Sequence, residues 1–205
     1  WESPFNPNRT LAEHFFGPGG KREVAMMNQT LKLPATTFPE GKLVEFALSG
    51  NGLVVDFVLP NEELGLAEFE AKHFTHANFE KWRGALKEQL VRLGIPKYST
   101  EAKLELSNAL SLLGMPAAFT PIADFSGLSA EKVSLQRVHQ RCVVKVEETG
   151  IAATAATGIS IAPRTSPPKP DLEFIVERPF IYVVRAVKTN VILFVGHVTK
   201  PDAYK

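Results

Sequence analysis

The sequence predicts an α+β fold, in which paired strands and separate helices occupy different stretches of the chain. Two strongly apolar runs flank a turn at 49–52, and two further runs typical of strands close the chain. Between them lie stretches with helical spacing, and strands and helices do not alternate as they do in βαβ units. The 205 residues, 44% hydrophobic and 22% charged, suffice for one domain or most of one.

The first half of the chain predicts one hairpin and one broken helix. Residues 1–35 are rich in Pro, Gly and Asn, which favours irregular structure with short extended pieces. Residues 42–60 form a predicted hairpin around Asn51-Gly52, because both of these residues tolerate positive φ. Residues 64–86 predict a broken helix with Trp82 as a core anchor.

The second half of the chain predicts four strands and one short helix. Strands are expected at 89–98, 133–146, 179–187 and 191–198, where apolar and β-branched residues are dense. Leucines at helical spacing predict the helix at 106–113.

The nearly even charge balance argues against a partner that is bound through the overall charge of the protein. Lys and Arg number 23 against 22 Asp and Glu, so neither nucleic acid nor a membrane surface is an expected partner. Cys142 is the only cysteine, so an internal disulfide is impossible. Glycosylation acceptor triplets begin at Asn8 and Asn28, and we expect an extracellular protein rather than a cytoplasmic one.

Two stretches resemble ligand-binding motifs but lack residues that such motifs require. Gly17-Pro18-Gly19-Gly20-Lys21 resembles a nucleotide phosphate loop, but Arg22 replaces the Ser or Thr that such a loop requires, so we predict a turn. Glu70, His73 and His76 could bind a metal if one helical turn brought them together. No second ligand cluster accompanies them, so a solvated face is the better interpretation, and we predict neither metal nor cofactor.

No motif for catalysis is present, and the protein is not expected to be an enzyme. His139 and Cys142 stand three residues apart on a predicted strand, where they point to opposite faces. They therefore cannot cooperate as a thiol nucleophile and its base. A Gly-x-Ser-x-Gly elbow is absent from the sequence.

The tract at 150–162 carries an unusual pattern. It contains no charge and is rich in Ile, Thr and Ala, whereas a flexible linker is rich in Gly and Ser. At a period of two, one face is apolar or small throughout. The tract is therefore suited to become a buried strand, although its flanking Gly and Pro also suit an exposed loop. This face consists of Ile151, Ala153, Ala155, Thr157, Ile159 and Ile161.

Several stretches resemble the serpin family, and they occur in the family's order over essentially the whole chain. Glu147-Glu148-Thr149-Gly150 and the tract that follows look like the hinge of a serpin reactive-centre loop. The other matching stretches are Trp1 with Pro4-Phe5-Asn6-Pro7, Val24-Ala25-Met26-Met27, Ala123-Asp124-Phe125-Ser126-Gly127-Leu128, Arg178-Pro179-Phe180, Ile192-Leu193-Phe194-Val195-Gly196 and Pro201.

The resemblance implies the C-terminal portion of a serpin fold, with mixed and antiparallel sheets, packed helices and an exposed reactive loop at about 148–168. Residues 1–205 would be part of a single domain whose N-terminal half is absent from this chain. Trp1 matches the tryptophan at the top of the family's central sheet. Gln140 falls where many serpins have a shutter histidine, and its amide can still form a hydrogen bond.

The resemblance also assigns a reactive bond and a hinge. The family's loop length places the scissile bond between Arg164 and Thr165, with Pro163 at the preceding subsite. Ile151 stands where Thr is commoner, but a β-branched apolar side chain should still bury in a sheet. The hinge positions implied by the match are Glu148, Gly150, Ile151, Ala153, Ala155 and Thr157.

The function implied is inhibition of a trypsin-like serine protease by a suicide-substrate mechanism. Cleavage at Arg164-Thr165 would free the loop to insert into the central sheet and trap the acyl-enzyme. A non-inhibitory serpin (carrier, storage protein or chaperone) and an inactive truncated fragment remain as alternatives. The third alternative is an unrelated metal enzyme, supported only by His73 and His76.

Overall fold

The computed structural model describes residues 1–50, 52–151 and 169–204, and of Ile151 it describes the backbone. The chain divides into two compact units. The larger unit comprises Trp1–Ser99 with Lys145–Lys205, and the smaller comprises Thr100–Val144.

Eleven strands, three α-helices and two 3₁₀ helices are present in the described residues. The strands are β1 (Thr10–Gly17), β2 (Gly20–Phe38), β3 (Gly41–Leu48), β4 (Leu53–Pro60), β5 (Lys87–Pro96), β6 (Tyr98–Glu105), β7 (His139–Glu147), β8 (Gly150–Ile151), β9 (Leu172–Ile175), β10 (Phe180–Ala186) and β11 (Ile192–Val198). The helices are α1 (Leu66–Lys72), α2 (His76–Gly84) and α3 (Ser107–Leu112), and the 3₁₀ helices are Pro7–Arg9 and Pro116–Phe119.

The larger unit is built on an eight-stranded sheet. Its strand order is β11-β10-β4-β3-β2-β5-β9, and β1 pairs with β2 beside this path. The pairs are antiparallel except β5 with β9, which is parallel. A mixed sheet accompanied by separate helices confirms the predicted α+β class.

One face of this sheet is covered by α1 and α2. The Thr75 side chain accepts a hydrogen bond from the amide of Asn78 at 3.2 Å, which caps the first turn of α2. Trp82 of α2 stacks on Phe38 with a centroid distance of 4.0 Å. Burial of such aromatic area, rather than helical propensity, stabilises these short helices. The buried residues of this layer are Leu43, Val58, Phe69, Phe79, Trp82, Ile181 and Val183.

A buried ionic group lies on β10 and its neighbouring strands. Arg185 donates from Nε to Asp56 Oδ2 at 2.6 Å and also contacts Glu45. Burial raises the pKa of Asp56 to about 6, although its bonds to Arg185 act in the opposite direction. A single guanidinium thus satisfies two carboxyl groups whose oxygens would otherwise be left unpaired.

The smaller unit contains α3 and most of β6 and β7. These two strands and β8 make up a second sheet in the order β6-β7-β8. The amide of Leu106 donates to Val138 O at 2.8 Å, and the amide of Val138 donates to Ser107 Oγ at 3.0 Å. These two bonds fix the start of α3 to the segment before β7.

Three sequence predictions need correction. Residues 1–35 are not irregular, because β1 and β2 form a long hairpin there and the turn-forming residues at 17–20 join its two strands. The strand predicted at 133–146 begins only at His139. The single strand predicted at 89–98 ends at Pro96 as β5, and Tyr98 already begins β6. The hairpin at 42–60, the helices and the closing strand pair are confirmed.

Candidate functional site

The predicted hinge is a tight antiparallel turn between β7 and β8. Val146 pairs with Ile151 and Glu147 with Gly150, so Glu148 and Thr149 form the turn. Gly150 has φ +141°, and a Cβ at this position would lie 2.7 Å from the main-chain nitrogen of Trp1. A residue with a side chain would therefore strain the backbone and collide with Trp1.

Trp1 contacts the backbone of this turn. Trp1 is 4% exposed, and its Nε1 donates to the main-chain oxygen of Glu147 at 2.8 Å. The indole packs edge-on against Phe46 with centroids 4.7 Å apart, and Phe5 and Phe57 lie next to it. A buried indole N–H needs a partner, so the aromatic cluster and the hinge backbone fix one another.

A polar cluster around the Glu148 side chain fixes the same turn. Glu148 accepts a hydrogen bond from Thr10 Oγ1 at 2.8 Å through Oε1 and lies 2.8 Å from Lys97 Nζ through Oε2. Its main-chain oxygen also accepts from the amide of Phe5 at 2.9 Å. We call Glu148, Lys97 and Thr10 the hinge clasp.

The electrostatics of the hinge clasp favour an ionised Glu148, whose side chain is 13% exposed. Burial alone would raise the pKa of Glu148, but the bonds from Lys97 and Thr10 outweigh burial and lower it from 4.5. A carboxyl group whose pKa falls on folding stabilises the clasp above pH 4.5. That contribution is lost as the pH falls through the folded-state pKa.

Lys97 and Thr10 were not among the residues predicted from sequence. Thr10 begins β1 and is separated from Glu148 by 138 positions, whereas Lys97 directly follows β5. No local motif connects them, because the contact exists only after β1, β5 and β7 have met. These contacts fix the turn at Glu148 and Thr149 to β1 and to the end of β5.

Apart from Trp1, Glu148, Gly150 and the backbone of Ile151, the structure describes one predicted site residue, Gln140. Gln140 lies exposed on the β7 segment of the smaller unit. Ala153, Ala155, Thr157, Pro163, Arg164 and Thr165 lie outside the described residues.

The alternative of a metal site is not supported by the geometry. Glu70 Oε1 lies 2.8 Å from Nδ1 of His197, whereas Nδ1 of His73 lies 3.7 Å from Glu40. Glu70 and His73 thus face different partners. Across 1–50, 52–151 and 169–204, no three His, Cys, Asp or Glu side chains are grouped as a metal would require.

Comparison with known proteins decides the family. A family model described as Serpin (serine protease inhibitor) matches residues 1–201. The chain belongs to the serpin family. Serpins as a family are protease inhibitors rather than enzymes, which agrees at the family level with the sequence prediction.

Individual serpins match nearly the whole of this chain, but the match covers only about half of each serpin's own length. Plasminogen activator inhibitor 1 from Neovison vison is 32% identical over 98% of this chain and 51% of its own length. The crystal structure of Serpin48 from Tenebrio molitor is 28% identical with a TM-score of 0.80, over 98% of this chain and 53% of that one. Human thyroxine-binding globulin gives 26% identity, the same TM-score and the same coverages. The chain thus spans about half the length of the serpins it matches.

We expect Glu148→Gln to loosen the hinge locally. The neutral amide keeps the shape but loses the ion pair with Lys97, and hydrogen bonds to charged groups contribute about 1.5–3 kcal/mol when intact. Hydrogen exchange at the amide of Phe5, which donates to Glu148 O, should accelerate about tenfold at pH 7, equal to about 1.4 kcal/mol. The difference from wild type should narrow as the pH falls below 4.5.

The adjacent Glu147→Gln provides the matched control. Its carboxylate contacts Lys145 at 2.8 Å on an exposed part of the surface, where ion pairs contribute little. Exchange at Phe5 should therefore change by less than about twofold. Equal exchange rates in the two variants would show that the clasp does not hold the hinge.

Proposed function

We propose that this chain is the C-terminal part of an inhibitory serpin that traps a trypsin-like serine protease. Residues 1–205 would form part of one serpin domain, with the reactive loop at about 148–168. The observation that carries the proposal is the β7–β8 pairing, because the first residues of the proposed loop already begin an antiparallel strand on β7.

Continuing this register predicts which side chains would become buried. Directly opposed residues of an antiparallel pair point to the same face of the sheet. Ile151 lies opposite Val146, and in the continued register Ala153 would lie opposite Val144 and Ala155 opposite Cys142. Val146 is 0% exposed and Val144 4%, whereas the intervening Val143 is 53% exposed. The face that the sequence pattern marks as small and apolar is thus the face that would enter the interior.

The composition and length of the tract fit insertion as a strand. No charged residue occurs between Gly150 and Pro163. About a dozen residues at roughly 3.3 Å each would span on the order of 40 Å, the length of a full sheet. A tract of this kind can leave solvent without an unpaired charge being buried.

Arg164 gives the proposed loop its protease specificity. A protease with an acid at the base of its specificity pocket would bind the guanidinium, and Pro163 would favour enzymes with a tight apolar pocket for the preceding residue. The protease serine attacks the Arg164 carbonyl carbon, and the bond to the Thr165 nitrogen breaks. An ester to the protease and a free Thr165 amino group result. Insertion of the freed loop before water hydrolyses the ester would trap the enzyme.

The alternatives are a non-inhibitory serpin and a fragment without activity of its own. The fold does not discriminate between an inhibitor and a carrier, since human thyroxine-binding globulin, solved in complex with thyroxine, and Serpin48 give the same TM-score. We favour inhibition because the face predicted to insert contains no charged side chain. A carrier does not need that property.

The remaining half of the proposed domain is its main structural partner. β11 ends the sheet order, and its residues are exposed on both faces: Ile192, Leu193, Phe194 and Val195 are 39–58% exposed. Soluble proteins seldom leave such a strand uncovered, so we propose that the rest of the protein covers it.

Secretion is also part of the proposal. Asn8 is exposed and available for glycosylation, whereas Asn28 donates from Nδ2 to Glu13 Oε1 at 2.6 Å and is engaged. No helix among the described residues is long and apolar enough to cross a membrane.

Peptide mapping tests the proposed reactive bond. The full-length protein is incubated with an equimolar amount of trypsin and quenched in acid, and the new termini are read by mass spectrometry. We expect a single early cleavage, with a C-terminal peptide that begins at Thr165. An early cut elsewhere in 148–168 would move the reactive bond, and no cut there would contradict the proposal.

A further inference from the structure

The turn between β1 and β2 forms one wall of a small basic cavity. Its volume is about 330 Å³, and it is lined by the turn at 17–20 together with Arg22, Thr199 and Lys200. Both charged residues in this lining are cations, and no carboxylate lines the cavity. The cavity therefore has an unbalanced positive charge.

Arg22 is incompletely satisfied. Its Nε and Nη1 atoms are enclosed and have no hydrogen-bond partner among the described residues, whereas Nη2 is not enclosed in this way. Removing guanidinium nitrogens from water without replacing their hydrogen bonds is unfavourable. An anion in the cavity can accept a hydrogen bond from Nη2, and its negative charge would stabilise the partly buried guanidinium cation.

The cavity wall is held by a close backbone contact. A Cβ added at Gly17 would lie 2.5 Å from the main-chain oxygen of Thr199, so only glycine lets the turn approach this segment. Gly20 has φ +89°, which also favours glycine. This contact keeps Arg22 on β2 and Lys200 on the C-terminal segment at the same cavity.

Two carboxylates are close to these cations in sequence, and neither of them lines the cavity. Glu23 follows Arg22 and lies 4.0 Å from His14, whereas Asp202, two residues after Lys200, lines a different cavity together with Lys97 and Tyr204. The described residues contain no ion pair to Arg22 or Lys200. The charge of the cavity is therefore not neutralised within this part of the chain.

We propose that this cavity binds a phosphate or sulfate group, either as the free ion or as the anionic end of a small molecule. Arg presents a planar fork of donors that matches a tetrahedral oxyanion, and Lys adds a point charge. A volume of about 330 Å³ holds such a group with a small substituent. The proposal does not depend on protease inhibition, and the turn is not a nucleotide phosphate loop, because its spacing is wrong.

Equilibrium dialysis of the full-length protein tests the site. Radiolabelled inorganic sulfate, inorganic phosphate and phenyl phosphate are the three probes, each measured against a constant chloride background. We expect saturable binding of one ion per protein. Arg22→Gln and Lys200→Gln should each weaken it about tenfold, the loss typical of one charge-assisted contact.

Lys21→Gln is the matched control, because Lys21 is exposed, precedes Arg22 on β2 and is not part of the lining. Its binding constant should stay within about twofold of wild type, and unchanged melting temperatures would show that all variants fold. Tighter binding of phenyl phosphate than of inorganic phosphate would identify a small-molecule ligand, and the reverse order would identify the free ion. Non-saturable binding, or equal loss in the Lys21 variant, would overturn the proposal.

Discussion

Replacement of Arg164 by alanine is expected to abolish inhibition of trypsin. The specificity pocket of a trypsin-like protease contains a buried acid, and without the guanidinium that acid has no partner when the loop docks. Pockets built to pair a charged group reject ligands that lack it by large factors, so the second-order rate constant of inhibition should fall about 10³-fold or more. The measurement is residual trypsin activity against time at several concentrations of the full-length protein.

Two controls isolate the charge of Arg164. Arg164→Lys keeps the cation and should retain inhibition to within about tenfold. Lys169→Ala removes a basic residue beyond the proposed bond and should change nothing. Full inhibition by the alanine variant would place the reactive bond at another residue.

Ala153→Arg should convert the inhibitor into a substrate. If the β7–β8 register continues past Ile151, Ala153 would lie opposite the buried Val144, on the face that is proposed to become buried on insertion. An unpaired charge there would disfavour insertion by several kcal/mol, whereas cleavage depends only on the exposed loop. Because each 1.4 kcal/mol changes a rate about tenfold, hydrolysis should overtake insertion. The number of inhibitor molecules consumed per protease inactivated should rise roughly tenfold or more.

Ala152→Arg tests the same register from the opposite face. In the continued ladder Ala152 faces Lys145, which is exposed, so its added guanidinium would stay in solvent. The consumption ratio should remain near that of wild type. If both variants inhibit as well as wild type, the loop does not work by insertion. If both fail equally, the assignment of faces is wrong.

The elements with local signals could be predicted from sequence. The Asn51-Gly52 turn between two apolar runs marked the β3–β4 hairpin, and helical spacing marked α1 and α2. The alternation of faces in the tract after Gly150 is also a local pattern, and it stays a prediction because residues 152–168 lie outside the described residues. These features required no knowledge of distant partners.

The remainder depends on tertiary pairing. β2 contains Pro34, which cannot donate to a sheet, yet it continues to Phe38 because β3 and β5 pair with it on its two sides. The hinge clasp likewise joins Thr10, Lys97 and Glu148, which are distant in sequence. Composition alone therefore predicted irregular structure with short extended pieces at 1–35 and gave no indication of Lys97.

The central claim is that the loop is cleaved and then traps the protease as an ester. The most direct measurement incubates the full-length protein with trypsin, boils the mixture in sodium dodecyl sulfate and separates it by electrophoresis. The proposal predicts a band at the summed mass of trypsin and the fragment that ends at Arg164, because the peptide from Thr165 onward is released. This band should be absent when the active serine of the protease is blocked. Cleaved protein and free active trypsin, without such a band for the wild-type protein, would contradict the proposal.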